Sequence, residues 1–253
     1  MIVPVFEYHR VCSAQEYARS PWIVSASTFR SHLQYLKSRN CYTPGILDVL
    51  YPGPATPRRP GRPILLTFDD GYADTLEVAL PIMREFGFSA IVSVLATFDH
   101  LHNWWDDEEE ILHADLLRPE QVMKLSAAGV EIASHTLTHP HLPRISPEEL
   151  RHELTRSKQV LEELLGKEVP VFTYPYGETN ALVKSATREA GYRCALAAYT
   201  GPICLRDDPF EIRRILVSEN AGPLFLESAL RGIQNVRGWL VRRTRDRLHL
   251  LRS

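Results

Sequence analysis

The sequence predicts one α/β barrel in which helices cover a parallel sheet. Strand and helix signals alternate along most of the 253 residues, an order typical of strand–helix–strand units. The predicted strands are continuously apolar, as expected for strands that are buried on both faces. About seven of them occur without a glycine-rich phosphate loop, which favours a closed barrel over a dinucleotide-binding sheet. The polar motifs follow strands directly, where barrel enzymes carry their active sites.

Each predicted strand is a short apolar run, and each predicted helix has apolar residues three and four positions apart. The strands are predicted at residues 2–8, 63–68, 88–95, 130–134, 169–174, 194–198 and 212–217. The helices are predicted at residues 27–40, 74–86, 119–128 and 180–190, with a further long helix that begins at Ser146. Five prolines and two glycines predict a surface loop over residues 51–63.

Local signals indicate where the helices begin. Ser27 and Asn180 each precede a segment with helical spacing and are predicted N-caps. Pro119 stands at a predicted first helical position, where its missing N–H costs nothing. Ser146 and Glu149 have the spacing of a capping box, in which each side chain accepts a hydrogen bond from the amide of the other residue.

Composition and cysteine spacing exclude several classes of protein. Lys and Arg number 29 against 31 Asp and Glu, so the chain as a whole has no electrostatic attraction to nucleic acid. The four cysteines, at positions 12, 41, 194 and 204, include no Cys-x-x-Cys pair. This spacing argues against zinc-ribbon and thioredoxin sites and for reduced thiols. The chain does not open with a basic region and a long apolar run, so we expect a cytoplasmic protein without a signal peptide.

Two short motifs predict a metal centre. His135 and His139 are four residues apart and can share one ion, although an isolated pair is equally often two unrelated histidines. Asp69 and Asp70 follow a buried strand, where adjacent carboxylates repel each other and call for a nearby cation. Their alternative is a polar turn in which Asp70 caps the next helix, while Gly71 permits a sharp bend. Taken together, Asp70, His135 and His139 form a two-histidine, one-carboxylate set with open positions for water and substrate.

Three motifs in this order resemble those of the polysaccharide deacetylase family (carbohydrate esterase family 4, the NodB-homology domain). They are Thr67 to Tyr72, Ser134 to His139 and Tyr174 to Gly177. The resemblance covers roughly residues 1–220, which we take as the barrel domain. It implies that this α/β domain is an irregular (β/α)7 barrel of the polysaccharide deacetylase type.

The resemblance also implies a role for each matching residue. Asp69 is the general base, and Asp70, His135 and His139 bind a divalent metal. Tyr176 belongs to the third motif, whose backbone amide helps to form the oxyanion hole. The implied activity is the hydrolytic removal of an acetyl group from an N-acetylated sugar.

Two features depart from the family pattern. Thr173 occupies the position at which the third motif usually has an arginine that orients the base. Arg214, on the last predicted strand, is our candidate for this function, although a solvated surface arginine fits the sequence equally well. In addition, no late Leu-x-His motif is present to supply the general acid.

The N-terminal segment indicates a replacement for the general acid. Residues 4–10 resemble the Tyr-His element of the family branch that deacetylates poly-N-acetylglucosamine in biofilm matrix. The resemblance implies that His9 protonates the departing amine. The alternative is a structural histidine at the end of a strand, with its hydrogen bonds satisfied by its neighbours.

Aromatic residues near these motifs are candidates for contacting the sugar. Trp104 and Trp105 lie in the acidic segment 99–115, which we interpret as an inserted loop. Tyr174 and Pro175 belong to the third motif. All four are predicted to bind substrate, and simple packing is the alternative for aromatic residues in loops.

Residues 221–253 form a basic C-terminal helix or tail, which we separate from the barrel. Seven arginines and one acidic residue lie between residues 231 and 253. Apolar residues recur three and four positions apart at 226, 230, 233, 236 and 240. Such a helix suits the anionic inner face of a membrane, and we predict peripheral contact through residues 226–253. The alternative is a last helix that packs on the barrel.

The predicted function is metal-dependent N-deacetylation of a glycan or lipid-linked sugar that contains N-acetylhexosamine. Zinc is the expected metal, with nickel, cobalt and iron as alternatives. A first alternative keeps the barrel but hydrolyses an O-acetylated xylan or a cyclic amide. A second is an inactive glycan-binding module, although such a module gains nothing from a base beside its metal ligands. Walker-type and helical DNA-binding motifs are absent from the sequence, so we predict no nucleic-acid partner.

Overall fold

The structure is a computed structural model that describes residues 2–13, 20–56, 59–105, 114–198, 203–204 and 208–233. Its strands are β1 (Ile2–Val3), β2 (Val5–Tyr8), β3 (Arg10–Cys12), β4 (Ile23–Ser25), β5 (Cys41–Tyr42), β6 (Arg62–Pro63), β7 (Leu65–Phe68), β8 (Ile91–Val94), β9 (Glu131–Ser134), β10 (Val171–Thr173), β11 (Cys194–Leu196), β12 (Ile203–Cys204) and β13 (Ile215–Leu216). Its α-helices are α1 (Ala26–Ser38), α2 (Ile46–Leu50), α3 (Leu80–Phe86), α4 (Pro119–Ala127), α5 (Pro147–Leu165), α6 (Ala181–Glu189) and α7 (Pro223–Leu230). Short turns of other helix types cover Thr75–Ala79, Leu142–Arg144 and Pro175–Gly177.

The predicted barrel is confirmed. Seven parallel strands form one curled sheet in the order β11, β10, β9, β8, β7, β2, β13. At the edge of this sheet, a parallel bridge joins Leu196 of β11 to Ile212, which precedes β13. The amide of Ile212 donates to the carbonyl of Ala195 over 2.9 Å. Residues 212–216 therefore contact both edges of the sheet and complete the ring.

The pleat of each strand divides its residues between two environments. Val5, Leu65 and Ile91, on three adjacent strands, point into the barrel and belong to one buried apolar cluster. Phe68 points outward and packs edge-on against Phe29 of α1, with ring centroids 5.7 Å apart. Because both faces are covered, these strands read as continuous apolar runs.

The interior of the barrel becomes polar toward the carboxyl ends of the strands. Glu7, Thr67, Ser93 and Thr173 lie two residues beyond the inward apolar positions, and all are buried. The hydroxyl groups of Ser93 and Thr173 lie 2.7 Å apart. The sheet thus presents a buried polar layer at the end where barrel enzymes place their chemistry.

The predicted caps of α5 and α6 are confirmed. The Ser146 hydroxyl accepts a hydrogen bond from the Glu149 amide over 3.2 Å, and the Glu149 carboxylate accepts one from the Ser146 amide over 2.9 Å. The side chain of Asn180 accepts from the Val183 amide over 2.9 Å. These reciprocal bonds satisfy amides that the first turn of a helix leaves without partners.

Two other predictions about helices need correction. The N-cap of α1 is Ser25, whose hydroxyl accepts from the Thr28 amide over 3.2 Å, whereas Ser27 lies inside the first turn. The helix predicted over 74–86 begins as a π-helical turn, Thr75–Ala79, before α3 continues it. Wide turns of this kind are rare and occur often beside functional sites, and this one follows the double-aspartate motif.

The C-terminal segment packs on the barrel as far as the structure describes it. Leu226 of α7 is buried in the same apolar cluster as α1, whereas Leu224 and Ile233 are 88% and 55% exposed. The apolar stripe predicted from residue 226 onward is therefore used for core packing at its start. Residues 234–253, and with them the rest of the predicted stripe, lie outside the described residues. Within the described chain, no helix combines the length and apolarity needed to cross a bilayer.

Candidate active site

Asp70, His135 and His139 converge at the carboxyl end of the sheet. The distance to Asp70 Oδ1 is 3.1 Å from His135 Nε2 and 3.5 Å from His139 Nε2. All three side chains are buried. Their ligand atoms lie within 4.8 Å of one another, so the group could hold a metal ion. A carboxylate and two imidazoles suit zinc and the neighbouring divalent transition metals.

The hydrogen bonds of His135 fit a cation at this place. His135 Nδ1 lies 2.8 Å from the carbonyl oxygen of Thr173, which can only accept, so Nδ1 carries a proton. Burial lowers the pKa of His135, but the contact of its Nε2 with Asp70 Oδ1 over 3.1 Å brings this pKa above its usual value. A proton on Nε2 therefore pairs with the carboxylate, and a metal ion held by both atoms would take the place of that proton. The carbonyl contact also fixes the ring in the orientation that a metal ligand needs.

The electrostatic surroundings favour the metal-binding forms of the other two residues. Burial raises the pKa of Asp70, yet hydrogen bonds with His135 and His139 hold this pKa well below its usual value. Burial lowers the pKa of His139. At neutral pH the site therefore offers a carboxylate anion and a neutral imidazole, the protonation states that bind metals.

Backbone strain is concentrated around this group. Of the five non-glycine residues with positive φ in the described chain, four surround the site: Asp70 at 68°, Thr136 at 69°, His139 at 60° and Tyr176 at 56°. Each such conformation costs on the order of 1–3 kcal/mol. Gly71 adopts the sharp bend predicted for it, with φ of 71°. The fold therefore accepts destabilising backbone conformations at the residues that direct these side chains toward the site.

Arg214 holds Asp69, the second carboxylate of the motif. Arg214 Nη1 and Nη2 donate to Oδ1 and Oδ2 of Asp69, each over 2.7 Å. The guanidinium is 1% exposed, so Arg214 is a buried residue and not the solvated one that the sequence left open. Burial raises the pKa of Asp69, but the ion pair with Arg214 brings it below its usual value. The Asp69 carboxylate is therefore ionised at neutral pH.

Acceptors surround the Arg214 guanidinium on its other sides. Nε donates to the carbonyl of Ala197 over 3.1 Å, and Nη1 donates to the hydroxyl of Thr67 over 3.2 Å. Nη2 also lies 3.3 Å from Oε1 of Glu7, a second buried carboxylate. Burial raises the pKa of Glu7 against the opposing effect of Arg214. These contacts fix the orientation of the guanidinium relative to Asp69.

Thr173 stands where the family motif has its arginine, and it contributes through hydrogen bonds instead. Its hydroxyl pairs with Ser93, whose own hydroxyl lies 3.2 Å from Asp69 Oδ1. Its carbonyl oxygen accepts from His135. One residue therefore contacts both halves of the site.

His9 lies beside the Asp69 carboxylate at the end of β2. Nitrogen and oxygen atoms of His9, Asp69 and Glu7 lie within 4.8 Å of one another. The imidazole packs on the ring of Trp22, with centroids 4.6 Å apart. Its Nδ1 is buried and has no hydrogen-bond partner among the described residues. This differs from the satisfied structural histidine that was the alternative interpretation of the sequence.

The predicted metal ligands, Asp69, Arg214 and His9 share one cavity of about 230 Å³. Its remaining lining residues are Glu7, Trp22, Trp105, Tyr174, Tyr176, Gly177 and Ala198. This volume is slightly below the usual range of about 300–1,000 Å³ for small-molecule sites. The polar groups lie at the barrel end and aromatic rings form the walls.

Only two of the four residues predicted to contact the sugar line the cavity. Trp105 and Tyr174 line the cavity, although Tyr174 is fully buried. Trp104 and Pro175 are not among the lining residues. Trp104 packs on the rings of His100 and Trp105, with centroids 4.0 and 4.8 Å away. Trp104 therefore supports the wall from behind.

Tyr176 lies at the mouth of the cavity and is 42% exposed. Its ring stacks on His141 with centroids 3.9 Å apart and meets His139 edge-on at 4.6 Å. The next residue, Gly177, has φ of 62°, and a Cβ there would come within 2.1 Å of Ala198. Only glycine fits this turn, which explains why the third motif carries one.

Three residues of this site were not predicted from the sequence: Glu7, Trp22 and Ser93. A signal existed for Glu7, because a carboxylate inside an apolar strand is expensive to bury and so needs a partner. Ser93 and Trp22 gave no comparable signal, since a serine in a strand and a tryptophan in a loop are ordinary.

Sequence comparisons agree with these motifs. A family model described as polysaccharide deacetylase matches residues 56–195. YxkH of Bacillus subtilis (strain 168), assigned by its name to the polysaccharide deacetylases, is 23% identical over 218 residues, which cover 85% of this chain and 71% of YxkH. Five further curated relatives match over stretches that cover only 16% to 53% of their own lengths. The chain thus spans about half or less of those five relatives.

Solved structures share the barrel. The Streptococcus pyogenes deacetylase PplD, solved in complex with acetate, has a TM-score of 0.78 at 23% identity, over 91% of this chain and 98% of PplD. IcaB from Ammonifex degensii has a TM-score of 0.75 at 20% identity, over 91% of this chain and 97% of IcaB. At such identities the likeness concerns the fold.

Proposed function

The chain belongs to the polysaccharide deacetylase family, and from this premise we propose that it removes N-acetyl groups from N-acetylhexosamine residues of a glycan or glycolipid. The observation that carries the proposal is one cavity that joins three elements. These are a group able to hold a metal, a buried carboxylate fixed by an arginine, and a histidine with an unpartnered nitrogen. Acetyl-amide hydrolysis requires a base, an acid and stabilisation of an oxyanion, and the cavity offers all three.

The residues of this chain divide the proposed reaction between them. A divalent metal on Asp70, His135 and His139 would supply Lewis acidity and an acidified water with a pKa of about 7. Asp69 accepts the proton of the water whose oxygen attacks the acetyl carbonyl carbon. The amide of the strained turn at Tyr176 donates to the carbonyl oxygen, where negative charge develops.

Breakdown of the tetrahedral species requires a proton on nitrogen, because an amine anion is a very poor leaving group. His9 donates this proton as the C–N bond breaks. The products are acetic acid, which ionises to acetate, and a free amino sugar. Return of the proton from Asp69 to His9, directly or through water, restores both residues, so atoms and charge balance. Arg214 keeps both oxygens of Asp69 engaged and so orients the lone pair that accepts the proton.

Other acyl substrates use part of the same apparatus. An O-acetylated xylan would need the metal group and Asp69 but depends less on His9, because an alkoxide leaves more readily than an amine anion. A cyclic amide would have to enter a cavity of about 230 Å³. An inactive glycan-binding module has no use for the buried Asp69–Arg214 pair, which is costly to desolvate.

Acetate release distinguishes these substrates. We expect release from N-acetylglucosamine oligomers to exceed release from O-acetylated xylan. Treatment with a chelator should abolish the activity, and titration with zinc, nickel, cobalt or iron in turn should restore it and identify the metal. Asp69→Asn should abolish turnover while the protein still binds metal, and Asp48→Asn, an exposed aspartate elsewhere, is the matched control. Undiminished acetate release by Asp69→Asn would contradict the proposal.

Membrane contact through residues 226–253 is a separate part of the proposal, as is a location at the inner face of the membrane. Support comes from the seven arginines between residues 231 and 253 and from the exposed side chains of Leu224 and Ile233. Co-sedimentation with anionic liposomes should be strong for the full chain and lost after removal of residues 234–253. Equal binding by both proteins would count against the tail.

A further inference from the structure

A carboxylate outside the cavity supports the loop that carries both histidines. Glu153 of α5 is 8% exposed, and its side chain faces residues 136–139. Glu153 Oε2 accepts from the amides of Leu137 and Thr138 over 2.8 and 3.1 Å. Glu153 Oε1 accepts from the Thr138 hydroxyl over 2.7 Å. The carboxylate is thus engaged at both oxygens by two adjacent residues.

The loop needs an acceptor at this place because its backbone has left the sheet. Thr136 and His139 have φ of 69° and 60°, conformations that neither strand nor helix accommodates. The amide of His139 donates to the Thr136 hydroxyl over 3.0 Å, so the amides of 137 and 138 are left for Glu153. Without Glu153, the amides of Leu137 and Thr138 would lose their hydrogen-bond acceptor, and the loop would lose this connection to α5.

The helix that carries Glu153 is rigidly placed. Leu150 and Leu154, on either side of it, are fully buried against the barrel. The start of α5 is fixed by the capping box described above. The packed helix therefore fixes the position of Glu153, and the hydrogen bonds of Glu153 in turn hold the loop that carries the two histidines.

We propose that Glu153 is a positioning residue for the metal centre, which sets metal affinity by holding the strained His135–His139 loop in its binding geometry. The inference rests on the metal site of the proposed function. It goes further in assigning a role to a carboxylate that touches neither metal ligand side chain nor substrate. Partners that orient metal ligands commonly contribute about 10- to 100-fold in affinity.

Titration calorimetry of the metal-free full chain with Zn²⁺ tests this inference. Glu153→Ala should bind Zn²⁺ about 10- to 100-fold more weakly than wild type. Glu153→Gln should fall between the two, because its amide oxygen can still accept from both backbone amides. Glu148→Gln, an exposed glutamate of the same helix, should bind like wild type.

A merely structural role predicts a different pattern. In that case Glu153→Ala would lower the melting temperature of the metal-free protein but would leave the Zn²⁺ dissociation constant of the folded protein unchanged. This result would overturn the inference. If Glu153→Ala does not fold, Glu153→Gln and Thr138→Val decide, since each removes part of the contact, and wild-type affinity in both would overturn it. A wild-type chain that binds none of zinc, nickel, cobalt and iron would overturn both this inference and the proposed metal centre. Unchanged affinity in the variants would overturn this inference alone.

Discussion

Arg214 engages both carboxylate oxygens of Asp69 at 2.7 Å, although 145 positions separate the two residues in sequence. A parallel fork of this kind is the strongest and most directional form of an arginine–carboxylate pair. We propose that Arg214 performs the orienting function of the arginine that the family motif usually has at the position of Thr173. Three predictions concern this pair and its neighbours, and a fourth concerns Glu219, which contacts the start of α1.

Arg214→Lys should lower kcat by at least about 10-fold with little change in KM, because an ammonium cannot form the two parallel bonds. Arg214→Met should in addition lower the free energy of unfolding by about 3–5 kcal/mol, since it leaves buried carboxylates without a counter-charge. Acetate-release kinetics and urea unfolding measure the two effects. Arg213→Lys, one residue earlier, is the control and should match wild type. An Arg214→Lys enzyme with wild-type kcat would exclude the orienting role.

Glu7→Leu should lower kcat by about 10-fold, because it removes the carboxylate 3.3 Å from Arg214 Nη2 and leaves that side of the guanidinium unpaired in a buried site. Glu7→Gln keeps an oxygen there and should retain most of the activity. Zn²⁺ affinity should be unchanged in both, which separates this effect from the metal centre. Glu120→Gln, at an exposed position, serves as control. Equal kcat in the leucine and glutamine variants would show that Glu7 does not act through Arg214.

His9→Asn should reduce deacetylation of an N-acetylglucosamine oligomer by about 10²- to 10⁴-fold, the usual contribution of a general acid. Hydrolysis of an aryl acetate, whose phenolate leaves without a proton, should fall by far less. The ratio of the two rates is therefore the informative quantity. A His9→Asn enzyme that loses both activities equally would indicate a role other than proton donation.

Glu219 should make stability depend on pH. Its carboxylate accepts from the Ser25 amide and hydroxyl and from the Thr28 hydroxyl over 2.7–2.8 Å. Burial raises the pKa of Glu219, but these hydrogen bonds bring it below its ordinary value of 4.5. A lowered folded-state pKa stabilises the protein above pH 4.5, and this stabilisation is lost as the pH falls toward the folded value.

Urea unfolding at pH 7 and pH 4 tests this expectation. Glu219→Gln should be less stable than wild type by about 1–3 kcal/mol at pH 7, and the difference should narrow at pH 4. A difference that stays constant between the two pH values would show that the charge of Glu219 is not the source of the stabilisation.

The barrel and the convergence of Asp70, His135 and His139 could be predicted because their signals are local. Each motif directly follows an apolar strand, and the carboxyl ends of parallel strands meet at one end of a barrel. The partner of Asp69 could be named only as a candidate. A buried arginine and a solvated one look alike in sequence, and burial depends on a pairing across 145 positions.

Other parts of the site depend on features that a sequence does not display. The left-handed backbone at Thr136 is imposed by tertiary contacts, since a β-branched residue rarely adopts it; histidine adopts it more readily, but His139 alone does not predict it. Glu153 is one of several glutamates in α5, and only the packing of that helix turns it toward the loop. The N-cap of α1 was predicted at Ser27 and lies at Ser25, because two serines with equal capping ability stand two positions apart.

The ring of strands closes through residues that the family match does not include. The match runs over residues 56–195, which hold the metal triad and Asp69 but neither His9 nor Arg214. A polypeptide limited to that stretch would keep the predicted metal ligands but would lack His9, the proposed proton donor, and Arg214, which holds Asp69. Arg214 is synthesised 145 residues after Asp69, so this ion pair forms only once the segment that carries β13 has joined the sheet beside β2.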